Sequence, residues 1–252
     1  NGEIVIITES GIESIKPFEK VLERPCIFER IYFASPDSIV GNKTVYTYRK
    51  ALGEQLANEN NITADVVVPI PDSGVSAAIG FSQKSFIPFE LGIIRSHYVG
   101  RTFIEPSQTI RQFGVKLKHS VNKSCIENKK VILIDDSIVR GTTASKIVKM
   151  VYEAGAKEVH LGISCPPIMH PDFYGIDTPN YNELIAFQSD LNEMTKLVGA
   201  KSLFFLSLSG TYKAMGCNER NHETPQFTDH CFTGEYPIDV SEILEINKTI
   251  NG

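Results

Sequence analysis

The sequence of 252 residues predicts an α/β protein built on a parallel sheet. Three observations carry that expectation. Short continuous apolar runs, such as VVV after Asp65 and VILI after Lys130, have the β-branched character of strands buried on both faces. Stretches of helical composition separate these runs. Turn residues stand where each run gives way to a helix, with Pro71, Asp72 and Gly74 at one junction and Gly141 at the other.

Taken in order, residues 2–15 (GEIVIITESGIESI) read as a β-hairpin with Ser10 and Gly11 at its turn and no helix to follow. Asp65–Pro69 is a strand that turns through Pro71, Asp72 and Gly74 into the helical VSAAIGFSQK. The unit recurs with strand Lys130–Asp135, the loop DSIVRG and the helix TTASKIVKMVYEAG. There Ile147, Val148, Val151 and Tyr152 share one face and Gly155 suits the C-terminal cap. A third strand, Glu158–Ser164, follows directly. Parallel strands joined by helices bind ligands beyond their carboxyl ends. From about Gly216 the chain is rich in Asn, Glu, Thr, His and Pro, and reads as an extended tail packed on the surface. The expected divisions are residues 1–20, 21–215 and 216–252.

Composition narrows the function. With 42% hydrophobic and 22% charged residues the chain has material for a large core, which excludes a disordered protein. The longest weakly charged apolar stretch, Ala200–Tyr212, is interrupted by Lys201 and several serines, and a membrane span needs about 20 apolar residues. No secretory leader is expected from the opening residues, and five widely spaced cysteines suit reduced thiols, so a cytoplasmic address is expected. Net charge is -5, yet Gly92–Lys123 holds Arg95, Arg101, Arg111, Lys116, Lys118 and Lys123 against Glu105 alone. A basic segment in an acidic chain fits a small anionic ligand better than a nucleic acid.

The run Val131–Thr143, VILIDDSIVRGTT, carries the chemistry. Two carboxylates end a buried strand, a loop with hydroxyls and Gly141 follows, and a helix begins near Thr142. Backbone N–H groups at the helix start, with the Ser137, Thr142 and Thr143 hydroxyls, can wrap a phosphate, and Gly141 lets the backbone approach it. No lysine follows the glycine, so this is not a Walker loop. Adjacent carboxylates would repel a phosphate unless something lies between them. Ribose hydroxyls donate to carboxylates and a Mg²⁺ with its waters binds them, so a phosphorylated ribose satisfies both halves of the motif.

VILIDDSIVRGTT resembles the phosphoribosyl pyrophosphate (PRPP) loop of type I phosphoribosyltransferases, and in its DDSIVRGTT form that of the glutamine PRPP amidotransferase family. CIFERIYFASPDS (Cys26–Ser38), VPIPDSGVSAAIG (Val68–Gly80), YVGRTFIEPSQTIR (Tyr98–Arg111) and HPDFYGIDTP (His170–Pro179) are similar to that family in order and spacing. The resemblance implies the type I phosphoribosyltransferase fold, with a catalytic loop that closes over PRPP. It makes Asp72, Ser73 and Gly74 the pyrophosphate loop. Asp135, Asp136, Ser137, Val139, Arg140, Gly141, Thr142 and Thr143 become the ribose-phosphate loop. Ser73, Asp135 and Asp136 become the Mg²⁺-associated residues, and Arg95, Tyr98 and Arg101 the catalytic ones. Family members usually read Lys-Asn-Arg before that tyrosine, where this chain has Arg95, Ser96 and His97.

The implied reaction is displacement of pyrophosphate from C1 of PRPP by ammonia, giving 5-phosphoribosylamine. Family members make that ammonia in a preceding glutaminase domain, and residues 2–15 resemble only its last strands, so the chain is read as a fragment. Purine nucleotides as feedback inhibitors and a homo-oligomer are family expectations. Neither a nucleic acid nor a membrane is expected as partner. Some members carry an iron–sulfur cluster on four cysteines. Here Cys26 matches, but Asp172 replaces one cysteine, and Pro225 and Thr228 stand before Cys231, so no cluster is expected. Cys217, His222, His230 and Cys231 fit no common zinc spacing. Two alternatives remain: a non-catalytic regulatory module that binds PRPP or nucleotide, and a nucleobase phosphoribosyltransferase. Against the first stand the absence of a helix-turn-helix segment and the retained YVGRTFIEPSQ block.

Overall fold

The computed structural model describes residues 2–96, 119–176, 178 and 180–243. The strands are β1 (Ile4–Thr8), β2 (Gly11–Ile15), β3 (Ile39–Val40), β4 (Lys43–Thr44), β5 (Val66–Pro69), β6 (Ile93–Arg95), β7 (His119–Val121), β8 (Lys130–Asp135), β9 (Glu158–Ile163) and β10 (Ser202–Phe205). The helices are α1 (Val45–Glu59), α2 (Val75–Ser85), α3 (Lys123–Ile126), α4 (Thr142–Glu153), α5 (Ile185–Gln188), α6 (Leu191–Val198), α7 (Leu208–Ala214) and α8 (His230–Thr233).

Strands β10, β9, β8 and β5 lie side by side in that order as a sheet of 4 parallel strands. One row across it runs Val67, Ile132, His160 and Ser202. A second, toward the carboxyl ends, runs Pro69, Ile134, Gly162 and Phe204. Residues of β5, β8 and β9 are buried almost throughout, as continuous apolar runs require when both faces are covered. Helix α2 packs on β5 and β8, α1 on α2 and α7, and α4 on β9 and α6. The predicted α/β class with a parallel sheet is therefore the observed one, and no described helix is long and apolar enough to cross a membrane.

Helix α1 was not foreseen. Its inner face, Val45, Tyr48, Leu52 and Leu56, has helical spacing, but Arg49 and Gly53 share that face and dilute the signal. Gly53 is there because a Cβ would fall 1.8 Å from the Ala77 carbonyl oxygen, and Gly80 of α2 answers it with a Cβ position 1.9 Å from the Lys50 oxygen. Only glycine lets these two helices cross so closely.

Three details differ from expectation. The hairpin turns on Glu9 and Ser10, while Gly11 (φ 138°) already belongs to β2 and pairs with Thr8. Tyr152 is not on the buried face of α4. It lies at the sheet margin, where its hydroxyl accepts from Val159 N–H at 3.3 Å, and Ala144 completes the buried set with Ile147, Val148 and Val151. The segment after Gly216 is not confined to the surface, because Arg220, Asp229, His230 and Cys231 are buried. Asp229 accepts from Tyr212 Oη (2.8 Å) and from Arg220 Nε (2.7 Å), while Arg220 Nη2 also donates to Glu235 at 2.6 Å. Polar residues that satisfy one another in this way can enter a core that their composition would argue against.

Candidate active site

Two loops leave the neighbouring strands β5 and β8 at their carboxyl ends and meet. The first continues β5, with Ile70 N–H donating to the Ile134 carbonyl at 2.8 Å, then turns through Pro71–Asp72, a cis peptide, into α2. A Cβ on Gly74 would lie 2.3 Å from the Ile134 oxygen, so glycine alone lets this loop rest on the end of β8. The second loop begins at Asp135. Asp136 N–H donates to Asp135 Oδ1 at 2.9 Å, and the Ser137 hydroxyl donates to Asp136 Oδ1. The Ser73 hydroxyl lies close enough to Asp136 to favour its charged form, which brings the two loops together. Ser73, Asp135 and Asp136, singled out in the sequence as one group, are one group in space.

Beyond them Gly141 caps α4 with φ 72° and offers no side chain to its first N–H groups. Thr142 and Thr143 are exposed, and among the described residues no hydrogen bond engages their hydroxyls. Unsatisfied donors at a helix N-terminus, with two free hydroxyls, form a cradle for an anion.

Burial pushes the Asp135 carboxyl well above the usual carboxylate range, and the neighbouring Asp136 charge adds to it. Asp136, 4% exposed, is raised by burial too, against the hydrogen bond from Ser137, the nearby Ser73 hydroxyl and the charge of Arg49. A ligand that supplies hydrogen-bond donors or positive charge would favour the charged forms of both. Arg49 sits on α1 and is itself 4% exposed, donating from Nε to the Arg30 carbonyl (3.2 Å) and from Nη2 to the Ala34 carbonyl (2.7 Å). Sequence reasoning missed it. A charged residue at a core position of an apolar helical stripe was the available signal. Cys165, just past β9, is also buried beside the pair, and burial with the Asp136 charge pushes its thiol well up.

At the exposed lip Arg95, at the end of β6, forms an ion pair with Asp72. Thus one proposed catalytic residue meets the proposed pyrophosphate loop. Tyr98 and Arg101 lie outside the described residues. Arg140 projects from the second loop to Glu183, and the Val139 carbonyl accepts from Ile185 N–H at 2.8 Å. Neither Glu183 nor Ile185 was singled out from the sequence. Asp172, the residue in place of a cluster cysteine, accepts a hydrogen bond from His230 Nε2 at 2.8 Å. Burial holds the His230 imidazole below its ordinary range, so this joins a neutral ring to a carboxylate.

Two carboxylates and a hydroxyl are hard oxygen donors of the kind that hold a hydrated Mg²⁺. Among the described residues no cluster of three or more His, Cys, Asp and Glu side chains forms a complete metal site. Partial protein coordination completed by water and substrate fits that set.

A family model, the phosphoribosyl transferase domain, matches residues 42–172 and so takes in both loops. The chain belongs to the phosphoribosyltransferase family. Its fold is that of the type I phosphoribosyltransferases. The chain is 58% identical over 243 residues to an amidophosphoribosyltransferase of Rhizobium etli, covering 94% of this chain and 49% of that protein. It is 48% identical over 242 residues to a chloroplastic amidophosphoribosyltransferase of Glycine max, covering 96% of this chain and 42% of that one. A solved structure of glutamine PRPP amidotransferase from Bacillus subtilis, complexed with ADP and GMP, superposes with a TM-score of 0.84 at 46% identity, covering 96% of this chain and 53% of that one. The chain spans about half the length of the curated relatives it matches.

Proposed function

We propose that this chain is the phosphoribosyltransferase part of an amidophosphoribosyltransferase, which displaces pyrophosphate from C1 of PRPP with ammonia and forms 5-phosphoribosylamine. The observation that carries the reading is the meeting of Ser73, Asp135 and Asp136 beside the uncapped start of α4. The named relatives support it.

In this reading the α4 N–H groups with Ser137, Thr142 and Thr143 hold the 5-phosphate, which anchors the sugar away from the reacting carbon. Asp135 and Asp136 accept hydrogen bonds from the ribose diol. The Asp72–Gly74 loop and Arg95 receive the pyrophosphate, with Tyr98 and Arg101 closing over it. Ser73, Asp135 and Asp136 would hold Mg²⁺, which when bound neutralises charge on the leaving group. The nitrogen lone pair forms the new bond to C1 as the C1–O bond to pyrophosphate breaks, and the extra proton on nitrogen passes to solvent.

Residues 2–15 would belong to a preceding ammonia-supplying domain. Every residue of β1 and β2 is exposed, including Ile7 and Ile12 at 75% each, and a two-stranded hairpin in water needs a partner. Purine nucleotides as inhibitors, a homo-oligomer and a cytoplasmic address belong to the same reading. An iron–sulfur cluster does not, since Asp172 is engaged with His230.

The test supplies PRPP, Mg²⁺ and ammonium at alkaline pH and measures pyrophosphate. Ammonia-dependent release is expected. Release that requires a nucleobase, or binding of PRPP without turnover, would replace the reading with one of its two alternatives.

A further inference from the structure

The ribose-phosphate loop does not stand alone. Residues 181–188, a 3-10 turn (Tyr181–Glu183) running into α5, lie along its outer side and hold it at three points. Ile185 N–H donates to the Val139 carbonyl at 2.8 Å. The Ile185 side chain closes on Gly141, where a Cβ would fall 2.8 Å from its Cδ1. Glu183 Oε2 takes Arg140 Nε at 2.8 Å and Arg140 Nη2 as well. One carboxylate oxygen thereby grips the side edge of the guanidinium, and among the described residues no hydrogen bond engages Nη1.

The segment is itself anchored. Leu184 is fully buried, Ile185 and Ala186 nearly so, and α6 behind them packs on α4. Tyr181 packs against Phe187 with centroids 4.4 Å apart, the rings tilted by 48°, and is hydrogen-bonded to His170 Nδ1 at 3.2 Å.

From this geometry we propose that Glu183 is a positioning residue for the anion cradle, acting through Arg140. The inference rests on the phosphate-binding reading of residues 135–143. The exposure of the pair separates this role from a stabilising one. With side chains 51% and 34% exposed, an Arg–carboxylate contact adds little to folding stability. It does remove rotamer freedom from a long side chain before an anion arrives, and a binding loop benefits from that ordering. Glu183 also neutralises Arg140, so its own charge does not oppose the phosphate.

The test compares the wild-type chain with Glu183→Ala, Glu183→Gln, Arg140→Ala and the double variant. Affinity for ribose 5-phosphate is measured by calorimetry, KM and kcat for PRPP with Mg²⁺ and ammonium are determined, and thermal melting is followed. Glu183→Ala is expected to weaken ribose 5-phosphate and raise KM by about five- to tenfold, with a smaller effect on kcat and little on melting. Glu183→Gln, which keeps one acceptor oxygen, should recover part of the loss. Glu183→Ala should add nothing once Arg140 is gone. Unchanged affinity in both Glu183 variants overturns the proposal. So does tighter binding, because a freed Arg140 would then be the better anion ligand. Wild-type binding of ribose 5-phosphate without PRPP turnover removes the proposed reaction while leaving the positioning role to be decided by the variants. No wild-type binding removes both.

Discussion

At the scale of single residues the site is a balance between burial and charge. Asp135 ends a strand whose preceding four residues are buried, and there its carboxyl is held well above the usual range. The consequence for stability follows from linkage. Below about pH 4 the carboxyl is protonated in both folded and unfolded chains; as pH rises the unfolded chain releases its proton first, so folding loses stability until the folded carboxyl titrates. At neutral pH Asp135 is therefore a cost to the unliganded protein. Asp135→Asn is expected to raise the melting temperature at pH 7 and to flatten this pH dependence, while lowering PRPP turnover about a hundredfold through lost charged hydrogen bonds. Melting curves against pH, with pyrophosphate release on the same samples, check both halves. A variant that melts lower at neutral pH would mean the carboxylate is stabilised by its surroundings instead.

Among elements, the α1–α2 crossing decides where the first loop lies, because Gly74 of that loop caps α2 and α2 is held against α1 by two glycines. Gly53→Ala would drive a methyl into the Ala77 carbonyl and force the helices apart, an expected loss of about 2–4 kcal/mol in denaturant unfolding, with weaker PRPP binding as the Ser73 loop shifts. The C-terminal segment is fixed by a different device. Arg220 and Asp229 form an ion pair with side chains 5% and 0% exposed, and Arg30 lies between the Tyr48 and Phe227 rings at 5.4 and 4.9 Å. Arg220→Ala strands the Asp229 carboxylate in the interior, so a loss of about 3–5 kcal/mol is expected in the same measurement. A loss below about 1 kcal/mol would show that the segment contributes little to the fold.

For the whole molecule, the histidines set the acid limit. Burial lowers the imidazoles of His160, His170 and His230, which lie at the base of the sheet, beside Tyr181 and against Asp172. Above the ordinary histidine value of about 6.5 these rings are neutral in both states and their contribution is complete; as pH falls through that value the unfolded chain takes up protons that the folded chain refuses, and stability is lost. The melting temperature is thus expected to fall between about pH 7 and pH 5, opposite in sign to the Asp135 effect. A flat profile over that interval in Asp135→Asn, where the opposing carboxyl is removed, would contradict the burial of the rings.

Strand runs, turn glycines and the thirteen-residue loop are local patterns, and their physics is local: β-branched side chains suit a sheet buried on both sides, and a left-handed turn needs Gly141. They were enough to determine the α/β class and the order β5, β8, β9 along the chain, while the grouping of Ser73 with Asp135 and Asp136 came from the family resemblance of the two loops. Tertiary structure alone decided the rest. Arg49 brings its charge near Asp136 because an unforeseen helix crosses α2 through two glycines, Glu183 meets Arg140 across a separation of 43 residues, and Asp229 and His230 are buried because partners far along the chain satisfy them. Such contacts depend on which polar groups meet after folding, and no spacing within a single segment encodes that meeting.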